Sequence, residues 1–429
     1  MTNLLSNVVF PSGAGGFLGL RGVATSFLEW VYSFIPNYGL AIIFFVLLLR
    51  LMFLPLDFGT KYFTKKNSMR MAEIKPEEEA IKAAHAGDPV AYNRARQALY
   101  KKHGYGMGGF CLFTLLNLVI MMVVFISVFQ ALNGISNFNI NNQFKELQGT
   151  FHYHAARYID SPHHITIPPF DTSEPPEYWI ADFMDSPYFE SWQEHAYFED
   201  FETAINQRFS EVNERFLWVA NVWRSDTPWT QRTLSWSDFQ SAVSGVEGSV
   251  TRGLNSYQRA ELQAEYNFIF GNIDEHGTRW NGILLLIILA GASTFLSSWI
   301  NARQMAKNKP KPEEKKEIEA GYSIRDVKNQ AGDGTAPQMP TIDPNVMTGK
   351  MMKFMLPVIM IVVTLMNTAA LAIYITAGSL IATGLGVLMT MLVNKIIEKQ
   401  KKKRAERGPD LSIINPHAKY FKTKNKAEK

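Results

Sequence analysis

Arg50 is the only charged side chain in residues 30–56, a run otherwise rich in Leu, Ile, Phe and Val. A guanidinium keeps its proton at any physiological pH, and placing one at a bilayer centre costs about 3 kcal/mol or more. It must therefore face protein, or water that protein holds. Snorkelling is the simpler alternative: Asp57 lies about 10 Å further along a helix, so a long stem could reach the boundary. Polar residues at comparable depth in the other apolar runs favour the hydrated site. They are Thr114 and Asn117 at i, i+3, then Ser293, Thr294 and Ser297, and finally Asn367 and Tyr374. Arranged around Arg50, this set would line a water-filled cavity with a positive site. Singly, a Ser or Thr in a membrane helix more often packs against a neighbour. No Asp or Glu shares these runs, which argues against a proton- or ion-coupled carrier.

The elements that must position this set follow from where the charges are missing. The chain has 429 residues, a mean hydropathy of −0.08 and 19% charged residues, averages that look soluble. Yet no Asp, Glu, Lys or Arg occurs in 104–144, 280–302 or 354–394. Runs of about 18 or more such residues are candidate spans, which excludes an ordinary cytosolic enzyme. Cys111 is the only cysteine, so no intramolecular disulfide or cysteine zinc cluster is expected.

Residues 354–394 would reach about 60 Å as one helix, twice a bilayer core of about 30 Å. Two helices joined near Asn367 and Thr368 are expected instead. The spans are then 38–57, 108–132, 280–300, 351–367 and 368–395. Segment 58–107 carries ten Lys and Arg against five Asp and Glu, 301–350 nine against seven, and the tail 396–429 eleven against four. Segment 133–279 carries nine against twenty-one. Five alternating spans put the three basic segments on one side, which the positive-inside rule makes cytoplasmic. The N-terminus is then outside and the C-terminus inside.

No cleavable signal peptide is read in 1–37, where residues 17–35 form an amphipathic pattern suited to lying in the interface. Segment 58–107 reads as a cytoplasmic helical hairpin broken at Gly87-Asp88-Pro89, with Asp88 capping the second helix. Residues 133–279 read as an acidic, mainly α extracytoplasmic insert with loop character over 161–187. Its His152, His154, His163 and His164 could chelate a metal by spacing, but surface polarity in an acidic domain is the preferred reading. No nucleophile or carboxylate constellation is present, so no catalytic residue, cofactor or metal is expected. Segment 301–350 reads as a polar linker. The basic tail suits an anionic membrane surface or a phosphate-rich partner.

The chain resembles the YidC/Oxa/Alb family of membrane protein insertases, in its five-span bacterial form. The resemblance is carried by NYGLAIIFFVLLLRLMFLPLDF, with Arg50 at the family's intramembrane arginine and Pro55 at its proline. YKKHGYGMGGFCLF, AGASTFLSSWI, MMKFMLPVIM and NTAALAIYITAGSL extend it. Departures are Phe113, Asn117 and Val119, where the family has proline and glutamine, and Asn367-Thr368 in place of an aromatic-proline turn. The insert 133–279 is also longer than the usual loop.

The resemblance implies an all-α membrane protein of the bacterial plasma membrane. Five transmembrane helices would surround a hydrophilic groove open to the cytoplasm. It implies insertion of nascent membrane proteins into the lipid bilayer, alone or with the Sec translocon. Arg50 would attract acidic exported tails. The hairpin would receive targeting factors such as the signal-recognition-particle receptor, and the tail would touch the ribosome. No DNA partner is expected. The alternatives are a small-molecule channel or transporter, or an assembly chaperone whose insert captures a partner.

Overall fold

The computed structural model describes residues 19–85, 87–102, 107–161, 170–273, 280–308 and 344–406. Among these it is all α, with twelve α-helices and no strand beyond an isolated bridge between Phe216 and Val219. The helices are α1 Leu20–Phe34, α2 Tyr38–Ala84, α3 Pro89–Lys102, α4 Met107–Ile159, α5 Ile180–Met184 and α6 Pro187–Gln193. They continue as α7 Ala196–Val212, α8 Trp236–Val243, α9 Ser256–Gly271, α10 Leu285–Asn308, α11 Pro344–Leu365 and α12 Ala369–Glu406. Stretches of α2, α4, α10 and α12 are long and apolar enough to cross a membrane. A shorter apolar stretch, Met355–Leu365, lies in α11. The chain is therefore a multi-pass membrane protein. The break between the last two helices falls at 366–368.

The chain divides into two compact units. The first comprises Met1–Leu51, Ile120–Trp299 and Gln338–Ile381, and the second Met52–Val119, Ile300–Pro337 and Ala382–Lys429. In the second unit α2 ends at Ala84 and α3 begins at Pro89, where the Asp88 side chain accepts from the Val90 and Ala91 N–H groups at 2.9 and 3.0 Å. Proline at the first helical position loses no bond, because that N–H has no intrahelical acceptor. Glu78 ties the hairpin together: it pairs with Arg96 at 2.9 Å and accepts from the hydroxyls of Tyr92 and Tyr100 at 3.3 and 3.2 Å. Ile74 and Leu99 are buried in the same hairpin.

In the first unit α4 does not stop where its apolar run ends near 132. It continues to Ile159, so its 53 residues span about 80 Å. The reason is a second stripe: Ile140, Phe144, Leu147, Phe151, Ala155 and Tyr158 recur at helical spacing and all are buried. Helices α6, α7, α8 and α9 add Trp192, Phe201, Phe239 and Phe268, with ring centroids 5.2–5.9 Å from Phe144 or Phe151. The insert is thus an aromatic core built on the far half of a membrane helix. Within the expected loop 161–187, residues 180–184 form α5 because Ile180 and Phe183 join that core. Residues 162–169, with His163 and His164, lie outside the described residues.

Residues 213–227 of the insert meet the starts of three apolar helices. A helix leaves its first four N–H groups without intrahelical acceptors, and such groups are costly away from water. Here Glu214 Oε1 accepts from the Tyr38 N–H that opens α2, at 3.0 Å. The Asp226 carboxylate accepts from the Ile283 and Leu286 N–H groups at the start of α10, at 2.9 and 2.7 Å. It also accepts from the Trp218 indole at 3.3 Å. The carbonyls of Arg224 and Val222 accept from Ala369 and Ala370 at the start of α12, at 2.8 and 3.2 Å. Asn281 is fully buried and fixes the segment, donating to the carbonyls of Asn221 and Ser225 and accepting from the Asn221 N–H. Glycine is required twice in this clasp. A side chain at Gly39 would collide with the Phe216 ring, and one at Gly282 with Asp226.

Two outcomes follow from the clasp. Asp226→Ala removes the two carboxylate oxygens that accept from three N–H donors, one of them buried, and should lower stability by about 3 kcal/mol or more, read as earlier unfolding of the purified protein in detergent. Asp226→Asn, which keeps one carbonyl oxygen, should lose less. Burial pushes the Glu214 carboxyl above its ordinary value of 4.5, and the Tyr38 N–H offsets only part of this. The unfolded chain then holds fewer protons than the folded one over that range. Stability from this group is complete below the ordinary carboxylate range and declines as pH rises through the raised value. Thermal unfolding as a function of pH should show that decline in the parent and lose it in Glu214→Gln.

Candidate functional site

Within the first unit, α2 and α12 run side by side. A side chain at Gly378 would touch Val46 of α2 at 3.6 Å. One helical turn beyond Val46 is Arg50, and one turn before Gly378 is Tyr374. Both are half-buried. Tyr374 also meets the Phe125 ring of α4, centroid to centroid 6.3 Å. Arg50 makes no ion pair among the described residues, while its neighbours Ala41, Ile42, Phe45 and Val46 are buried and apolar.

The other expected residues divide in two. Ser293 and Thr294 are buried, and both hydroxyls donate to the Ala290 carbonyl of their own helix, at 3.1 and 2.7 Å. This back-bonding is how Ser and Thr satisfy themselves inside a helix. Ser293 also accepts from Ser379 of α12 at 2.5 Å, which joins α10 to α12. Asn367 is half-buried and donates to the Val363 carbonyl at 2.7 Å, closing the end of α11. These three engage backbone or neighbouring helix, as packing residues do. Ser297 is half-buried. Asn117 lies in the second unit, with a buried side-chain oxygen that has no partner among the described residues. The Thr114 side chain lies outside the described residues.

Two further polar groups lie at and before the start of α12. The Thr376 and Thr368 hydroxyls are buried without a hydrogen-bond partner among the described residues. Buried hydroxyls of this kind call for water or a ligand. In the second unit Lys61 donates to Thr390 at 3.3 Å, and Thr390 donates to Gln304 at 2.9 Å, joining α2, α10 and α12. This network escaped the sequence reading because Lys61 stands outside the charge-free run and resembles any hairpin lysine.

The histidines take other roles. His152 contacts Glu265 at 2.5 Å, and Gln148 donates to the same carboxylate at 2.9 Å. His154 packs near Phe201, and burial pushes its pKa down. No group of three metal-ligating side chains occurs among the described residues.

A family model described as 60Kd inner membrane protein matches residues 30–166. The membrane protein insertase YidC of Burkholderia multivorans is 35% identical over 105 residues, which are 24% of this chain and 18% of that protein. Its namesake in Treponema denticola is 31% identical over 115 residues, 27% of this chain and 19% of that protein. The one in Wolinella succinogenes is 30% identical over 105 residues, 24% and 19%. The matched stretch spans about a fifth of the length of these curated relatives. No solved structure matches. Residues 30–166, which hold Arg50, are thus the part of this chain that is similar to the 60Kd inner membrane protein family.

Proposed function

We propose that this chain is a membrane protein insertase whose hydrated groove is centred on Arg50. The observation that carries this reading is a half-buried guanidinium in an otherwise apolar run of α2, within the segment that matches the 60Kd inner membrane protein family. A polar exported tail crosses hydrocarbon at high cost because its backbone and charges lose water. A groove that carries water partway shortens the dry path. Arg50 attracts a carboxylate of the tail; two unit charges about 4 Å apart gain about 4 kcal/mol at an effective dielectric of about 20. The client's apolar helix then moves into lipid, and its burial drives release. The reaction needs no nucleotide.

The finer reading completes five spans by counting α11 as the fourth. It places the basic segments in the cytoplasm and the acidic insert outside, and it leaves room for cooperation with the Sec translocon. Thr376 and Tyr374 would line the groove more directly than Ser293 or Thr294, whose hydroxyls are engaged. The hairpin α2–α3 would receive clients and the signal-recognition-particle receptor, and the tail beyond 396 would meet the ribosome.

Reconstitution into liposomes with a short single-span client, scored by protease protection, tests the reading. Arg50→Glu should lower insertion of a client with an acidic exported tail about ten-fold or more, and of a neutral-tailed client much less, since only the first loses a charge attraction. Equal insertion of both clients by a folded Arg50→Glu protein would remove the role of the arginine. Solute conduction without insertion by the parent would replace the insertase with a channel. Deleting 401–429 should weaken ribosome co-sedimentation, with a salt dependence that flattens as the basic residues go. Unchanged binding at low salt would remove the tail from that role.

A further inference from the structure

The insert is acidic and polar, and its exposed tyrosines Tyr153, Tyr178 and Tyr257 carry a polar hydroxyl, yet four large exposed side chains without one fall in or beside the clasp. Leu217 is 70% exposed, Trp229 65%, Trp280 62% and Ile283 56%. The clasp meets the helix starts. Phe216, next to Leu217, occupies the space beside Gly39 in the first turn of α2, and Glu214 holds the Tyr38 N–H. Ile283 donates to Asp226 at the start of α10. These residues therefore stand at the level where two membrane-crossing helices begin, and exposed Leu40 and Phe44 continue the apolar surface along α2.

The backbone adds an independent observation. Phe216 and Val219 exchange both backbone hydrogen bonds, at 3.1 and 2.9 Å, so Leu217 and Trp218 form the tip of a tight turn. Leu217 has φ 54° and Leu284 φ 66°, and among the described residues these are the non-glycine residues at positive φ. A left-handed leucine costs about 1–2 kcal/mol where glycine would cost nothing. In water, such a leucine would be strained and exposed together, with nothing gained. In lipid, its exposure is favourable by about 25 cal/mol per Å² of apolar surface. Tryptophans at either side match the preference of that ring for the headgroup boundary.

We propose that Leu217, Trp229, Trp280 and Ile283 form a lipid-contacting rim seated in the bilayer leaflet on the insert's side. The insert is then a half-embedded domain rather than one held clear of the membrane. Lipid is the occupant because the rim lies beside the exposed apolar side chains Leu40 and Phe44 of α2, whose stretch is long and apolar enough to cross a membrane. The inference depends on α2 and α10 crossing the membrane and not on the insertase reading.

The test uses the full chain with Cys111→Ser, in nanodiscs holding one copy each, so a second copy cannot cover the rim. Leu217→Cys carries an environment-sensitive fluorophore. Glu199→Cys is the reference, beside Asp200, whose carboxylate pairs with Arg157 near the far end of α4 at 3.2 Å. Doxyl groups near the headgroup end of lipid chains should quench the label at 217 and not the label at 199. Aqueous iodide should quench the label at 217 about five-fold less than the label at 199. Trp280→Cys repeats the measurement if Leu217→Cys misfolds. Equal iodide quenching at rim and reference overturns the proposal, as does protection at the rim without quenching by lipid-borne doxyl.

Discussion

A guanidinium in a hydrocarbon-spanning helix has no neutral form to retreat to, and that constraint organises much of this molecule. Lysine, histidine or a carboxylate could lose charge on burial; Arg50 must be given surroundings. Arg50 makes no ion pair among the described residues, and the Thr376 hydroxyl of the first unit is buried without a partner among them. In the proposed reading water is the cation's ligand, and water at that depth requires a polar opening through which a carboxylate-bearing tail would also pass. The electrostatics and the proposed transport are one requirement seen from two sides.

The insert is tied to the helix starts themselves. Residues 213–227 take up N–H groups at the starts of α2, α10 and α12. Helix starts bear partial positive charge, so the carboxylates of Glu214 and Asp226 suit them electrostatically as well as by hydrogen bonding. The insert is a structural part of the membrane domain, joined through α4, which is both span and core helix. An acidic insert of this length thereby acquires a reason for its position between the second and third apolar runs.

Much of this was legible in the residues. Charge-free runs located the apolar helices, since carrying charge into lipid is costly enough to leave a gap in the sequence. The hairpin break was readable because Asp88 and Pro89 act locally, within three residues of their partners. The far half of α4 was equally present, as apolar positions from Ile140 to Tyr158 at helical spacing, but the change from lipid-facing to core-facing pattern hid its continuity. The clasp was not readable. Glu214 and Tyr38 are 176 positions apart, and nothing local distinguishes Glu214 from its many acidic neighbours. Ser293 and Thr294 were chosen for their polarity, yet a hydroxyl inside a helix can satisfy itself on its own backbone, so residue type alone does not show which way it turns.

Hydration beside Arg50 decides between these ideas. In a Cys111→Ser background, Tyr374→Cys would be exposed to a membrane-impermeant maleimide added on the side of the basic segments. Glu79→Cys in the hairpin is the aqueous standard, and Leu380→Cys, an exposed apolar position of α12, the lipid standard. Thiol reactivity requires the thiolate and therefore water. A hydrated site predicts that the cysteine at 374 reacts on the order of 100-fold faster than the one at 380. A cysteine at 374 as inert as the lipid standard would mean that Arg50 is held dry, and the route proposed for polar tails would be closed.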